Sequence, residues 1–289
     1  MKLYYIDRID KEKKEELIYG GWCVKLLYIK NFWLVSPITK FPFFSRLYGW
    51  IQKRSWTKRK IVPFIRKFQV DTSEFEKKLN EFTSFNDFFT RKLRPRALAS
   101  GAILFADGRY FVYPNLANVD GIWVKGRRFS LEKLLQNPEL AGKYREGSMV
   151  IARLAPPDYH RFHFPCNGTP SKSRIIVGNL DSVNPFALKK KLEILTENKR
   201  VVTEIETVDF GNILYVEVGA TFVGSIIQTY TPFVAVKKGE EKGYFSFGAS
   251  CIIILFEKDR IQFDEDLIHY SQMGIEVRGL FGQSMGRRK

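Results

Sequence analysis

The chain holds few groups able to do chemistry. Of its 289 residues only three are histidine and three are cysteine. Cys23, Cys166 and Cys251 are odd in number, far apart, and never in a Cys-x-x-Cys spacing. That excludes a disulfide framework and a zinc site, and it fits a reduced compartment. No apolar run approaches the roughly eighteen residues that span a bilayer. Residues 1–16 are charged and lack the apolar core of a signal peptide. Acidic residues are missing from 17–70, which carry eleven Lys or Arg and no Asp or Glu. No internal repeat or low-complexity tract is present.

What the chain has in excess is positive charge, +16 in formal net terms, and aromatic residues. Such an imbalance points to nucleic acid, an anionic membrane or an acidic protein as partner. The acid-free stretch also holds four of the five tryptophans: Trp22, Trp33, Trp50 and Trp56. Indole rings and cationic side chains favour a lipid headgroup layer, where the ring is apolar and the cation meets anionic lipid. A basic helical segment with an aromatic core stripe is the equally ranked plain reading, and single-stranded nucleic acid ranks third. A segment of this kind lies on a membrane rather than crossing it.

The expected fold is α+β. Residues 1–98 read as a helical, basic and aromatic membrane-associating region. Pro37, Pro42 and Pro63 break its first part into short helices. Phenylalanines recur at helical spacing over 71–98, and Ser84 with Asp87 three residues on predicts a helix start. Residues 99–289 read as a mostly-β catalytic domain. Strands are predicted over 149–154, 174–177, 201–207, 213–218, 222–228, 243–247 and 251–257, with helices over 131–135 and 185–191.

Two of the three histidines sit in Asp158-Tyr159-His160-Arg161-Phe162-His163. Histidine is the usual proton shuttle near neutral pH, and this concentration beside Asp and Arg favours function over packing. On a strand His160 and His163 would face opposite sides; on a helical turn they would share one. His269 reads as structural. Asp107 before Gly108 reads as a turn former on its own, and Ser250 stands between a small-residue turn and an apolar run. Together Asp107, His163 and Ser250 supply acid, base and hydroxyl, and a serine hydrolase is one reading of them. Ser250 stands in no Gly-x-Ser-x-Gly elbow, which argues against it. Gly224-Ser225 and Gly282-Gln283-Ser284 are weaker serine candidates.

These motifs, in this order, resemble the phosphatidylserine decarboxylases of the chlamydial type. The resemblance runs from about Ser84 to Gly286. It is carried by Phe85-Asn86-Asp87-Phe88-Phe89-Thr90-Arg91-Lys92-Leu93-Arg94-Pro95, by Ala106-Asp107-Gly108, and by the block from Leu154 through His163 to Pro165. Val218-Gly219-Ala220 with Val223-Gly224-Ser225-Ile226, Lys237 to Gly243, and Phe247-Gly248-Ala249-Ser250 complete it.

The resemblance implies a proenzyme that cuts itself between Ala249 and Ser250, with His163 as base and Asp107 orienting and polarising it. Ser250 would become a pyruvoyl group, made from the protein, with no metal and no pyridoxal phosphate. A β chain of residues 1–249 and an α chain of 250–289 would result and stay associated. The pyruvoyl carbonyl would form a Schiff base with phosphatidylserine, and His160 would serve the decarboxylation that yields phosphatidylethanolamine. The implied setting is peripheral, on the cytoplasmic face of an anionic membrane, with a homodimer as the family's habit and no nucleic acid. One residue departs from the family pattern: Ala249 stands where glycine usually precedes the processed serine. A methyl there obstructs the attacked carbonyl if φ is positive and is harmless if φ is negative.

Overall fold

A strand covered on both faces reads as an unbroken apolar run, and residues 250–256 show this best, since every one of them is buried. The computed structural model describes residues 3–17, 47, 49–117, 129–183, 185–191, 193–220, 226–246 and 250–289. Pro37, Pro42, Trp22, Trp33, Cys23, Gly224, Ser225 and Ala249 lie outside them. The described residues form strands β1 (Tyr4–Asp7), β2 (Lys13–Glu15), β3 (Ala102–Ile103), β4 (Gly108–Tyr113), β5 (Ser148–Leu154), β6 (Arg161–His163), β7 (Thr169–Pro170) and β8 (Arg174–Ile176). They continue with β9 (Arg200–Thr207), β10 (Gly211–Val218), β11 (Ile226–Gln228), β12 (Glu241–Phe245), β13 (Ser250–Phe256), β14 (Ile261–Phe263), β15 (Glu276–Gly279) and β16 (Ser284–Arg288).

The main sheet runs β2-β1-β15-β4-β5-β13-β10-β9-β7, and β8 also pairs with β9. Two small sheets, β11-β12-β6 and β14-β16-β3, accompany it. The apolar runs predicted as strands at 149–154, 201–207, 213–218 and 251–257 fall in β5, β9, β10 and β13. Side chains alternate across β13. Ile252, Ile254 and Phe256 enter one core with Phe162 of β6 and Phe245 of β12. Cys251, Ile253 and Leu255 enter a second core, under Leu134, Leu135 and Ile194 of the short helices Leu131–Leu135 and Ile194–Glu197.

The mostly-β texture of the second part holds, but the helical reading of the first part does not hold from its start. β1 pairs parallel with β15, and β2 closes the edge. Buried charge draws this segment in. Glu16 receives both terminal nitrogens of Arg153 at 3.0 and 2.7 Å and lies 3.3 Å from Arg109. Farther on, helix Ile61–Phe68 keeps Pro63 in its first turn, where a missing N–H is tolerated.

Over 71–98 the predicted helix shrinks to a 3-10 turn at Leu79–Glu81 and a helix at Phe85–Phe89. Ser84 does cap the latter, accepting the Asp87 N–H at 3.1 Å. The phenylalanines recur because they share one cluster, not one helix. Phe64 meets Phe85 edge-on at 5.3 Å, and Phe82 meets Phe88 at 5.7 Å, the arrangement that ring quadrupoles favour.

Candidate active site

Asp107 closes the turn into β4. The Tyr110 hydroxyl pins that turn, donating to the Ala106 carbonyl at 2.6 Å and accepting the Ala106 N–H at 3.1 Å. Gly108 follows because a Cβ there would stand 3.0 Å from the Arg153 carbonyl oxygen. The Asp107 carboxylate accepts a two-pronged pair from Arg96, at 2.5 and 3.1 Å, and the Phe281 N–H at 2.8 Å. It makes no direct hydrogen bond to His163. The Phe281 ring instead lies between their roles: its backbone holds Asp107, and its face stacks on the His163 imidazole at 3.8 Å and 15°.

The loop before β6 is fastened from three sides. Asp158 accepts the Ala155 N–H at 2.7 Å and pairs with buried Arg109 of β4. Arg91, from the phenylalanine-rich segment, donates to the Pro157 and Asp158 carbonyls at 2.9 and 3.1 Å. Arg161 forks onto Glu241 of β12 at 2.9 and 2.7 Å. His160 ends up buried, with Nδ1 2.9 Å from the Asp158 carbonyl and its ring 3.9 Å from Phe89.

His163 is also buried, at the end of β6. Its Nδ1 faces the Gly239 carbonyl at 2.9 Å, an acceptor only, so the neutral ring carries its proton there. Nε2 then bears the lone pair and receives the Tyr159 hydroxyl at 3.1 Å. Burial is the main cause that pushes the imidazole down to about 4, while the Gly239 carbonyl, Glu241 and Asp107 oppose it. His163 is therefore a neutral base at physiological pH.

Ser250 is the first residue of β13, paired with Leu154 of β5. It is wholly buried, and its Oγ has no hydrogen-bond partner among the described residues. The next residue offers no rival nucleophile, because burial pushes the Cys251 thiol up to about 12. The Ser250 face of β13 is covered by the sheet that contains β6. His269, read as structural, sits exposed on helix Glu265–Gln272.

The chain matches the family model described as phosphatidylserine decarboxylase over residues 85–287. The chain belongs to the phosphatidylserine decarboxylase family. It is 50% identical over 295 residues to the phosphatidylserine decarboxylase proenzyme of Chlamydia pneumoniae, covering 99% of this chain and 97% of that one. The Chlamydia felis proenzyme is 50% identical over 293 residues, at 99% and 98% coverage. That of Chlamydia trachomatis serovar D is 44% identical over 294, also at 99% and 98%. This is a pyruvoyl-dependent family of carboxy-lyases.

Within this decarboxylase framework, sequence reasoning named Asp107, His160, His163 and Ser250 but missed their holders. Tyr159 and Arg91 stood inside the quoted motifs without a role. Arg96 follows directly after Pro95, and a lone arginine there carries no signal. Phe281 lies far along the chain in no motif at all.

Proposed function

We propose that this member is made as a proenzyme, cuts its backbone between Ala249 and Ser250, and converts phosphatidylserine to phosphatidylethanolamine and CO2 at a membrane surface. The observation that carries this reading is the buried Oγ of Ser250, without a hydrogen-bond partner among the described residues, at the head of the central strand. A pyruvoyl group requires a serine whose hydroxyl is not locked in other bonds and whose N-terminal side can be severed without breaking a strand. The Ser250 Oγ has no hydrogen-bond partner among the described residues, and β13 is described from Ser250 onward.

Once the Tyr159 hydroxyl turns away and frees its lone pair, His163 Nε2 takes the Ser250 hydroxyl proton as Oγ bonds to the Ala249 carbonyl carbon. The peptide C–N bond breaks, and the proton passes to the freed amine, leaving an ester. Asp107 orients this step through Phe281, whose backbone it holds and whose ring is the face His163 rests on. The pyruvoyl group formed from the ester supplies an electrophile for the substrate amine and a sink for the electrons left when CO2 departs. His160, steered by the Asp158 carbonyl, delivers the proton that replaces the carboxylate. Three of the four strands of the α chain, β13, β15 and β16, pair with strands from the rest of the chain in two sheets, which supports continued association after the cut.

On a denaturing gel the purified protein is expected to show a forty-residue fragment, blocked at its N-terminus by mass spectrometry. Ser250→Ala and His163→Ala should remain whole. Cutting that persists in His163→Ala would refute the assignment. An intact parent that becomes cut on Ala249→Gly would locate an obstruction in the Ala249 methyl.

Membrane docking is supported by the described part of the basic stretch. Trp50 and Trp56 are 55% and 57% exposed. Arg54 lies 3.7 Å from the Trp50 ring, and Lys60 5.8 Å from Trp56. No helix among the described residues is long and apolar enough to cross a membrane. The reading places the protein peripherally on the cytoplasmic face. Replacing both tryptophans by alanine should weaken flotation with phosphatidylserine-containing vesicles; unchanged flotation would sink this part.

A further inference from the structure

A proton delivered by His160 must reach one particular carbon, so the orientation of its ring matters as much as its place in the chain. The backbone of residue 160 is fixed from β12, where the Phe245 N–H donates to the His160 carbonyl at 2.9 Å. The Asp158 side chain is fixed separately, by Arg109 and by the Ala155 N–H. Neither contact sets the plane of the imidazole.

One segment acts on the ring itself. The Phe89 ring centroid stands 3.9 Å from that of His160, inclined at 36°. Two residues on, Arg91 donates to the Asp158 carbonyl at 3.1 Å, the same oxygen that lies 2.9 Å from His160 Nδ1. A carbonyl oxygen has two lone pairs and serves both. A second Arg91 bond, to the Pro157 carbonyl at 2.9 Å, fixes the guanidinium. That carbonyl oxygen accepts only, so the neutral ring carries its proton on Nδ1.

The segment is held at both ends. The Phe85 N–H donates to Thr57 Oγ1 at 2.9 Å, and Arg161 donates to the Thr90 carbonyl at 3.0 Å. Phe89 and Arg91 therefore stand on a rigid support, which precise placement of a working group requires. Arg91 is buried, the Phe75 and Phe88 rings lie 5.0 Å from it, and its hydrogen bonds among the described residues all go to backbone carbonyls. A guanidinium used this way locates backbone rather than balancing a carboxylate.

We propose that Phe89 and Arg91 are positioning residues for His160: together they set the plane of its ring and reserve Nδ1 for the Asp158 carbonyl, so that Nε2 is the nitrogen that gives up the proton. The proposal rests on the reading above, in which His160 completes the decarboxylation. In its charged form the ring carries a proton on each nitrogen. The Nε2 proton moves to the carbon that has lost CO2, whose electron pair forms the new C–H bond. The ring is left neutral with its remaining proton on Nδ1, the form the Asp158 carbonyl already holds. Nε2 regains a proton from water before the next turnover.

Phe89→Leu keeps apolar bulk and loses the flat face; Arg91→Met keeps length and loses the donors. Each is made in the full chain, and again in the uncut Ser250→Ala chain with isotope-labelled histidine for nitrogen NMR. With only three histidines in the chain, His160→Gln assigns the His160 signals. Both variants should cut themselves as the parent does. With phosphatidylserine in mixed micelles, kcat should fall by on the order of 100-fold, as for a misplaced reacting group, while KM stays at the parent value. In the uncut chain the His160 proton, confined to Nδ1 in the parent, should spread over both nitrogens. A parent-like kcat, a change confined to KM, or His160 signals that keep the parent's form in both variants overturns the proposal. Loss of the cut in both variants assigns the pair to architecture and also overturns it. If Arg91→Met does not fold, Phe89→Leu decides alone. Full turnover by His160→Gln would instead remove the proton donor and fail the reading of His160. A parent without a carbonyl at residue 250 would fail the pyruvoyl reading, and the spectra of the uncut chains would still decide whether the pair sets the ring.

Discussion

The neutrality of His163 sets how maturation should depend on pH. An ordinary histidine, with a pKa near 6.5, is only about one-tenth neutral at a pH one unit lower. Burial holds His163 down to about 4, so nearly all of it is still neutral there. Glu241, Asp107, Arg161 and the Gly239 carbonyl all act on this ring, and their net pull does not offset its removal from water. If His163 takes the Ser250 proton, the rate of self-cutting should stay flat down to about pH 5 and fall only below it. Proenzyme from cell-free synthesis, moved into buffers between about pH 5 and 7.5 and sampled on denaturing gels, would report this rate. A fall with its midpoint near 6.5 would refute the reasoning, because it would describe a solvated imidazole. Stability should respond differently. The unfolded chain binds a proton at His163 below about pH 6.5, but the folded chain waits until about 4. Stability therefore falls as pH drops through that window, by about 3 kcal/mol from this residue when the drop is complete. Denaturant melts at matched pH would separate the two effects.

Two further outcomes are expected. Glu16→Gln takes one carboxylate away from Arg153 and Arg109, which keep Glu276 and Asp158, so the loss should destabilise by about 1.5–3 kcal/mol, read as a lower urea midpoint. Cys166 and Cys251 are buried, and burial pushes both thiols up to about 12. In a Cys23→Ser background, a chromogenic disulfide reagent should leave both untouched until urea is added; fast labelling of the folded protein would contradict the packing around them.

The parts of the fold legible in the sequence are those whose order comes from burial on both faces. β5, β10 and β13 are runs of Val, Ile, Leu and Phe, and nothing else in a chain this basic looks like them. β1, β2 and β15 were illegible. They are short and partly charged, and their pairing is decided by partners at the opposite end of the chain, such as Asp7 with Arg278 at 2.8 Å. The phenylalanines of 75–89 misled for a related reason. Helical spacing was present, but the cluster that buries them accepts loops as readily as a helix. At the site, residue types that do acid and base chemistry were visible because histidine is so scarce. Their holders were not, since an arginine or a phenylalanine becomes informative only when folding brings it to a carboxylate or a ring.

The position of β13 between β5 and β10 has a consequence for how the protein comes into being. A chain emerges from the ribosome N-terminus first, so both neighbours are complete before the strand that joins them exists. Until residues 250–256 arrive, β4-β5 and β10-β9-β7 face an empty lane. The serine at the head of that lane reaches its place only when the lane is filled, and β15 must still close between β1 and β4. The molecule thus carries its own completion check: a truncated or stalled product keeps an open sheet and has no seated serine to act upon.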